Sequence, residues 1–512
     1  MPIRMEEDES SSRPQRSVRR SNSSGGGNFA GGNILLTLLP FLFRRPKLLL
    51  ILAVIGIGLY FFMGPETTSN LASNVMSSFN KGATLDQTVF DEAEVFEPLS
   101  PEGNTLPERI SLEAFCPKRM NQGQQGSCVG WGSAYAARTI LQASATGKNP
   151  NDIAFSPSFL YNQIKLEGCQ GSYINRAMES MTQVGSLPFT NFAYTDESCD
   201  HTPSDSEISQ AAAYKMKGSN RLTKNGDDYT IDLLAIKQNL AQGAPVVIGM
   251  MVGGTFMQPM MGQKCWIPTD DDYQMSGFGG HCMCVIGYDD YLEGGAFQIM
   301  NSWGGEWGVN GIAWVRYNDF AFFTKEAYGV YPMKNVVEQE KPFSLQVGLL
   351  LNENKTLVPL QEKSNQVFES SVKLKAGDKF KIQVSNETPC YTYVFGRELT
   401  GETYVLFPYT PKHSPYCGIT GTRVFPKDFS MKVDDQGNRD EMLVLVTRQP
   451  IDYNAFKDKL NNTSGNSYAA KVQSLLADEL APITTSLSKG LIQIQGSESY
   501  KNAAFTIVEI IK

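Results

Sequence analysis

A cysteine at the start of a predicted helix is the residue of this chain best suited to covalent chemistry. Cys128 follows a loop rich in glycine and glutamine at 121–127 and precedes an apolar run that extends through Leu141. A thiol in the first helical turn lies among unpaired backbone N–H groups at the positive end of the helix dipole. Both features favour the thiolate, which is the nucleophilic form of cysteine. The sequence therefore predicts that Cys128 is a catalytic nucleophile.

Two later residues, His281 and Asn301, supply the other groups that a cysteine nucleophile needs. A histidine can hold the thiol proton and pass it to a leaving amine, and an asparagine bonded to the other ring nitrogen fixes its tautomer. The chain has 3 histidines, and His201 and His413 lie in polar, turn-like surroundings. A lone buried cysteine is more often an inert apolar residue, so the prediction rests on the three residues together.

The segments around these residues resemble those of the papain-like cysteine peptidases. The chain has, in the family's order, a Gln-Gly-x-x-Gly-Ser-Cys segment ending at Cys128, a Gly-Tyr-containing segment with His281, and an Asn-Ser-Trp-Gly turn beginning at Asn301. The similarity extends from about Leu106 to Tyr331. It implies a papain-like fold and hydrolysis of peptide bonds through a thioester acyl-enzyme on the cysteine.

The resemblance also implies roles for two supporting residues. Gln122, six residues before the nucleophile, would donate its side-chain amide to the developing oxyanion together with the Cys128 backbone N–H. Each such donor contributes roughly 3 kcal/mol to transition-state stabilisation. Trp303 would cover the bond between the histidine and the asparagine and keep water away from it.

The chain departs from the family pattern around the nucleophile and along the substrate cleft. Gln125 stands where the plant and lysosomal enzymes usually have cysteine, and Val129 follows the nucleophile instead of tryptophan. The resemblance places Gly171, Ser172 and Gly280 in the substrate cleft, and Gly280 has no side chain with which to shape a pocket. These departures indicate a bacterial branch of the fold and leave the subsite preference open.

The resemblance bears on the cysteines as well. Cys169 lacks its usual family partner, and Cys199 is the residue expected to form a disulfide with it. Cys282 and Cys284 flank the histidine region at a Cys-x-Cys spacing, with Cys265 upstream. In a strand these two side chains point to the face opposite His281, so the three cannot share one metal ion. We therefore expect core packing or a disulfide there, with no metal and no cofactor.

Length and composition predict a multidomain globular protein. A chain of 512 residues is too long for one compact core, so two or three domains are expected. The net charge is −8, and no excess of basic residues suggests nucleic-acid binding. The 9 cysteines are too few to define a disulfide scaffold, although several could pair in an oxidising compartment.

The N-terminal region predicts a membrane anchor. Residues 1–47 form a basic tail, expected to be disordered apart from a short interfacial segment at 34–43, and 48–65 contains an unbroken apolar run. The excess of lysine and arginine before the run places the tail in the cytoplasm and the rest of the chain across the membrane. A cleaved signal peptide is the alternative, but the charged leader is too long for one.

Residues 66–104 are predicted to be a stalk with an acidic run at 91–98. A solvated linker is the favoured interpretation. The alternative is that the neighbourhood of Val95 and Phe96 lies in the catalytic cleft as a short inhibitory strand.

Two folded domains are predicted after the stalk, which makes the fold class α+β. Residues 105–335 form the papain-like domain, with a helical half at about 128–242 and a strand-rich half at about 245–331. Residues 341–512 alternate apolar and polar positions between turns, which is typical of a β-sandwich, with a helical insertion at 453–487. Cys390 and Cys417 could form a disulfide within this accessory domain.

The sequence therefore predicts a membrane-anchored, exported bacterial cysteine peptidase that acts on a peptide or protein substrate. One alternative is a transpeptidase that uses the same acyl-enzyme, and another is a catalytically silent scaffold with two binding domains. Retention of Gln122, Cys128, His281 and Asn301 argues against the scaffold. The oligomeric state does not follow from the sequence.

Overall fold

The computed structural model describes residues 3–7, 81–101, 104–331, 341–427, 429–497 and 501–512. Its helices are, in chain order, α1 (Gln87–Asp91), α2 (128–146), α3 (Pro157–Ile164), α4 (Ile174–Gln183), α5 (Asp205–Ala211), α6 (Leu233–Ala241), α7 (Tyr317–Phe323), α8 (Tyr453–Asn462) and α9 (Tyr468–Leu475).

The helix predicted to follow the loop at 121–127 is confirmed, and its central part is unexpectedly π-helical. Helix α2 begins at Cys128, is π-helical at Trp131–Arg138 and returns to α-helix at Thr139–Thr146. Glycine allows its close packing against the rest of the domain: a Cβ atom at Gly132 would lie 2.7 Å from the Cys282 sulfur. π-Helical turns are rare in proteins, and those that occur often lie at functional sites.

The strands form three sheets. In chain order they are β1 (Ile3–Glu7), β2 (Arg109–Ser111), β3 (Ser219–Arg221), β4 (Val246–Val252), β5 (Cys265–Trp266), β6 (Gly279–Asp289), β7 (Ala296–Met300), β8 (Ile312–Arg316), β9 (Thr324–Val330), β10 (Ser344–Leu351), β11 (Leu360–Ser364), β12 (Val367–Ser370), β13 (Lys379–Asn386), β14 (Cys390–Arg397), β15 (Thr403–Phe407), β16 (Tyr416–Cys417), β17 (Gly421–Phe425), β18 (Phe429–Val433), β19 (Arg439–Thr447), β20 (Ile483–Ser488), β21 (Leu491–Gly496) and β22 (Ala503–Ile511).

The first sheet belongs to the catalytic half of the chain. Its order is β3-β9-β4-β6-β7-β8-β5, with β2 on the edge of β6. Neighbours are antiparallel except for β5 and β8. Helices α2 to α6 precede most of this sheet in the chain, so a helical lobe faces a β lobe as predicted. The histidine strand β6 lies between β4 and β7 and is therefore firmly held.

The second domain is a β-sandwich with helices on one outer face. One sheet has the order β1-β18-β13-β10-β21-β20 with β17 beside β13, and the other has β11-β12-β22-β19-β14-β15 with β16 beside β14. Apolar side chains from both sheets share one core. Helices α8 and α9 pack on the outer face of the second sheet. The predicted helical insertion is wrong at its end, because residues from Ile483 onward form β20.

The extreme N-terminus corrects a second prediction. Residues Ile3–Glu7 were expected to be part of a disordered tail, but they pair antiparallel with Phe429–Val433 at the edge of the sandwich. The physical reason is their alternation: Ile3 is buried in the core, while Glu6 forms ion pairs with Lys432 and Lys379 at 2.6 and 3.2 Å.

The prediction of a solvated stalk is wrong for the part of it that the structure describes. Within 81–101, Phe90, Val95, Phe96 and Leu99 are buried. Apolar residues in this acidic run gain more from packing against the two domains than from solvent exposure. Phe96 does not lie in the catalytic cleft, which is entered instead by the residues at the start of the segment.

In the part of the chain with described coordinates, no helix is long and apolar enough to cross a bilayer. The anchor predicted at 48–65 and the interfacial segment at 34–43 both lie outside the described residues.

Candidate active site

The predicted nucleophile lies at the interface of the two lobes. Cys128 is the first residue of α2 and is fully buried. Its sulfur accepts a hydrogen bond from the Cys282 backbone N–H of β6 at 3.4 Å, which links the helical lobe to the β lobe. The preceding loop is held by the other lobe as well, because Gln122 N donates to Ser302 O at 2.8 Å.

His281 and Asn301 lie together, next to the hydrogen bond between Cys282 N and the Cys128 sulfur. His281 Nε2 and Asn301 Oδ1 are 2.8 Å apart, and both residues are buried. Because the amide oxygen accepts, Nε2 carries the ring proton, and Nδ1 is the nitrogen left to take a proton from a thiol. Nδ1 has no hydrogen-bond partner among the described residues. Trp303 stacks on the imidazole with ring centroids 4.4 Å apart and shields the His281–Asn301 bond.

Gln122 is buried and held by two hydrogen bonds. Its Oε1 accepts from Ser302 Oγ at 2.7 Å, and its Nε2 donates to the Gln125 carbonyl at 3.0 Å. A primary amide has two N–H groups, so one remains for an oxyanion beside Cys128. The side chain is thus oriented by its own loop and by the turn that carries Asn301.

The groove between Ser172 and Gly280, where the substrate cleft is expected, is occupied by the chain's own residues 81–86, which we call the cleft segment. Ser172 N donates to Gly82 O and Thr84 N donates to Ser172 O, both at 2.9 Å. On the other wall, Ala83 N donates to Gly280 O at 3.1 Å. The cleft residues that the family resemblance implied therefore bind an extended peptide backbone, and here that backbone is intramolecular.

Glycines make this close passage possible. A Cβ atom at Gly82 would lie 2.0 Å from the Gly126 carbonyl oxygen, and one at Gly280 would lie 2.1 Å from the Ala83 oxygen. Gly171 has φ 127° and faces the Gly82 carbonyl. Any side chain at these positions would push the two backbones apart, so the glycines on both walls let the segment lie directly over the nucleophile.

Burial of the site reverses the ionisation of Cys128 that the helix start alone predicts. It raises the pKa of the Cys128 thiol to about 12, and backbone hydrogen bonds from Cys282 and Gly82 only partly oppose this. Burial also lowers the pKa of His281 to about 3, opposed by the Asn301 hydrogen bond and assisted by the Lys81 charge. At neutral pH both groups are therefore uncharged in this closed state, because desolvation outweighs the helix dipole.

A side pocket of the cleft receives Leu85. Its Cδ2 atom is 2.4 Å from where a Cβ atom at Gly249 would lie, and Ile174 packs on the same point. Glu326 is buried beside this pocket and accepts hydrogen bonds from Asp86 N and Tyr328 Oη, each at 3.2 Å. Burial raises the pKa of Glu326 to about 7 despite these hydrogen bonds.

The described part of the chain contains one disulfide and seven free cysteines. Cys169 and Cys199 form the disulfide that the resemblance implied, with Cα atoms 6.0 Å apart. Cys282 and Cys284 are buried free thiols. No group of histidine, cysteine or acidic residues able to hold a metal ion occurs in the described part of the chain.

The disulfide expected between Cys390 and Cys417 is not formed. The two residues lie directly opposite each other on β14 and β16, and both are free thiols. A hydrogen bond between their sulfurs lowers the pKa of Cys417 and raises that of Cys390, so the two thiols are in contact without a covalent bond.

Sequence reasoning missed the cleft segment and the residues that seat it. Gly82 and Ala83 carry no recognisable motif, and their role depends on backbone contacts with residues far along the chain. One signal was available: apolar residues such as Phe90 and Leu99 within a supposedly solvated acidic run indicate burial.

Comparison with known proteins agrees with this geometry. Residues 111–332 match the papain family cysteine protease, and residues 373–450 match a domain of unknown function, DUF4384. An uncharacterised peptidase C1-like protein of Acanthamoeba polyphaga mimivirus is 27% identical over 215 residues, which are 40% of this chain and 64% of that protein. Cathepsin K of Mus musculus is 27% identical over 198 residues, 38% of this chain and 54% of the relative.

Among solved structures, xylellain, a cysteine protease from Xylella fastidiosa, aligns with 50% of this chain and 97% of its own at 21% identity and a TM-score of 0.42. The chain spans about half to two thirds of the length of the curated relatives it matches. The chain therefore contains a papain-family cysteine protease domain, followed by a DUF4384 domain.

Proposed function

We propose that this protein is a cysteine peptidase that hydrolyses peptide bonds with Cys128, His281 and Asn301. The observation that carries the proposal is the His281 ring, which is bonded to Asn301 through Nε2 and stacked under Trp303, and whose Nδ1 has no partner among the described residues. A buried imidazole with one nitrogen oriented and the other available is suited to proton transfer. The nucleophile lies on the adjoining helix start.

The reaction follows from these contacts. Nδ1 of His281 takes the proton of the Cys128 thiol, and the sulfur attacks the substrate carbonyl carbon. The carbonyl oxygen becomes an oxyanion that accepts from the Cys128 backbone N–H and the second N–H of Gln122. The imidazolium then protonates the leaving amine as the C–N bond breaks, which leaves a thioester. Water attacks the thioester with its proton passing to Nδ1, and the thiol is regained when the acid leaves.

Hydrolysis requires the cleft segment to leave. While Gly82 lies over Cys128, a substrate carbonyl cannot reach the sulfur, and the raised pKa keeps the thiol protonated. Departure of the segment would admit water to both groups, which removes the main cause of their shifts and allows the thiolate–imidazolium pair to form.

A labelling experiment tests the proposal on the full-length protein. An epoxide inhibitor of cysteine peptidases is added, and the adduct is mapped by mass spectrometry, in the natural sequence and in Ala83→Pro. Proline removes the N–H that Ala83 donates to Gly280 and so loosens the cleft segment. We expect rapid labelling of Cys128 in Ala83→Pro, and loss of that labelling when His281→Ala is added.

The half-exposed Cys265 is the internal control, since its reaction reports ordinary thiol reactivity. Equal labelling of Cys128 and Cys265, or none at Cys128 in Ala83→Pro, would indicate the silent scaffold instead. Products formed from a peptide substrate with and without an added amine would separate hydrolysis from transpeptidation.

The location expected from the sequence, an anchor at 48–65 with both folded domains exported, conflicts with the pairing of Ile3–Glu7 with Phe429–Val433 within this chain. A single membrane crossing at 48–65 would place Ile3–Glu7 and Phe429–Val433 on opposite sides of the membrane. The two strands could then not pair within one chain. Met5 lies opposite Met431, and a Met5→Cys, Met431→Cys cross-link within one chain would disprove the single crossing.

A further inference from the structure

The second domain holds the chain just after the cleft segment. We call residues 94–100 the junction segment. Its centre, Val95, pairs as an extended strand with both domains at once: with Arg221 of the catalytic domain and His413 of the second domain. Val95 N donates to Lys412 O at 2.7 Å, and Ser414 N donates to Val95 O at 3.0 Å. The junction segment is thus a strand shared between the two domains.

Buried side chains strengthen this contact. Phe96 is 1% exposed, and the Arg423 guanidinium of the second domain lies 5.8 Å from its ring centre. Arg423 Nε donates to Glu97 O at 3.0 Å, and Ser100 N donates to Thr422 O at 2.8 Å. Contacts with β17 of the second domain therefore extend along the second half of the junction segment, from Phe96 to Ser100.

An ionic cluster joins the two segments. Asp91, at the end of α1, forms ion pairs with Arg221 of the catalytic domain at 3.0 Å and with Lys412 of the second domain at 2.9 Å. Helix α1 begins directly after the cleft segment, and its Phe90 packs against Tyr328 with ring centres 5.2 Å apart. Helix α1 therefore connects the cleft segment to the junction segment.

We propose that the second domain regulates the peptidase: by pairing with the junction segment it keeps the cleft segment over Cys128, and an extended peptide that takes the place of Val95–Phe96 at the 412–414 edge opens the cleft. This inference rests on the proposed function. The competing ligand is defined by the site it would enter: an extended backbone with adjacent apolar and aromatic side chains, of which the aromatic one reaches Arg423.

The first test substitutes the junction without touching the catalytic residues or the second domain. Val95→Asp places a charge at a position that is 2% exposed. We expect the rate of epoxide labelling at Cys128 in the full-length protein to rise roughly 5- to 150-fold, the range of a typical coupling between sites. Gln87→Asp adds the same charge at an exposed position of α1 and should leave the rate unchanged.

A double substitution establishes the route of the effect. If the junction acts through the cleft segment, Val95→Asp added to Ala83→Pro should increase labelling no further than Ala83→Pro alone. Additive effects would mean that the junction alters Cys128 by another route, and the proposal would be wrong.

A peptide in trans tests the natural sequence, so the result does not depend on the folding of a variant. A synthetic peptide of residues 91–101 should accelerate labelling of Cys128 in a saturable manner, whereas a peptide of the same composition in scrambled order should not. Fast labelling in Ala83→Pro with no response to Val95→Asp or to the peptide overturns the regulatory proposal alone. No labelling even in Ala83→Pro overturns the proposed function itself.

Discussion

The cleft segment and the junction segment are contiguous parts of one chain, yet they are bound in different ways. The cleft segment is held mainly through its backbone, by hydrogen bonds to Ser172 and Gly280 between glycine-lined walls. The junction segment adds buried side chains, with Val95 2% and Phe96 1% exposed, and contacts to buried arginines. The most deeply buried large side chains of the two segments therefore belong to the region that does not touch the active site.

This difference suggests a division of labour. Backbone hydrogen bonds to a cleft accept any sequence that is small enough, which suits a site that must later bind other peptides. Burial of aromatic and β-branched side chains depends on those particular residues and contributes a larger part of the stability. Regulation of the cleft would therefore depend on the junction segment, because its side-chain contacts are sequence-specific.

The largest effect is expected at the cleft, where the chemistry occurs. Cys128→Ala removes the attacking atom, so peptide hydrolysis by an opened variant such as Ala83→Pro should fall by roughly a millionfold. Initial rates with a fluorogenic peptide check this. Cys265→Ala should leave the rate unchanged, and residual hydrolysis above that of the uncatalysed reaction by more than a few thousandfold would mean that another group is the nucleophile.

Stability, by contrast, should depend on the junction. Phe96→Ala removes a fully buried ring and should lower the free energy of unfolding by about 3–5 kcal/mol. Gly82→Val should expel the cleft segment from its narrow passage at a smaller cost in stability. Urea denaturation of both variants measures the comparison, which fails if Gly82→Val is the more damaging substitution.

A pH-dependent contribution is expected at the end of the cleft segment, where Glu326 accepts a hydrogen bond from Asp86 N. The pKa of Glu326 is raised from 4.5 to about 7 in the folded protein, so the folded state binds this proton more tightly than the unfolded state. The contribution of protonated Glu326 to the free energy of unfolding is on the order of 3 kcal/mol. It is fully present below pH 4.5 and is lost as the pH rises through 7. Thermal melts between pH 4 and 8 should show this decline, and Glu326→Gln should flatten it.

The smallest effect is expected from the exposed part of the junction. Lys412 pairs with Asp91 and Asp227, but its side chain is 35% exposed and that of Asp227 is 92% exposed. Solvent screening limits such pairs, so Lys412→Ala should lower the melting temperature only slightly, and less still at high salt. Melting temperatures at two salt concentrations would reveal a larger role if the loss persists in high salt.

Much of the fold could be predicted from local sequence signals. The helix after Cys128 and the apolar–polar alternation in 341–512 depend on neighbouring residues. The helix forms, and strands such as Ser344–Leu351 and Ala503–Ile511 form where the alternation was found. The strand at Ile3–Glu7 could not be predicted from these five alternating residues alone. So short a segment is stable as a strand only because it pairs with the edge of β18.

By itself the sequence determined which groups could perform catalysis, because the identities and order of Cys128, His281 and Asn301 are written in the chain. Tertiary structure alone decided their ionisation and their access to substrate. Burial in the folded protein raises the pKa of the Cys128 thiol, residues 81–86 lie across the cleft, and the second domain holds the adjoining junction segment. Both effects arise from packing between residues distant in sequence, and the free energy of burial depends on that packing and not on local sequence.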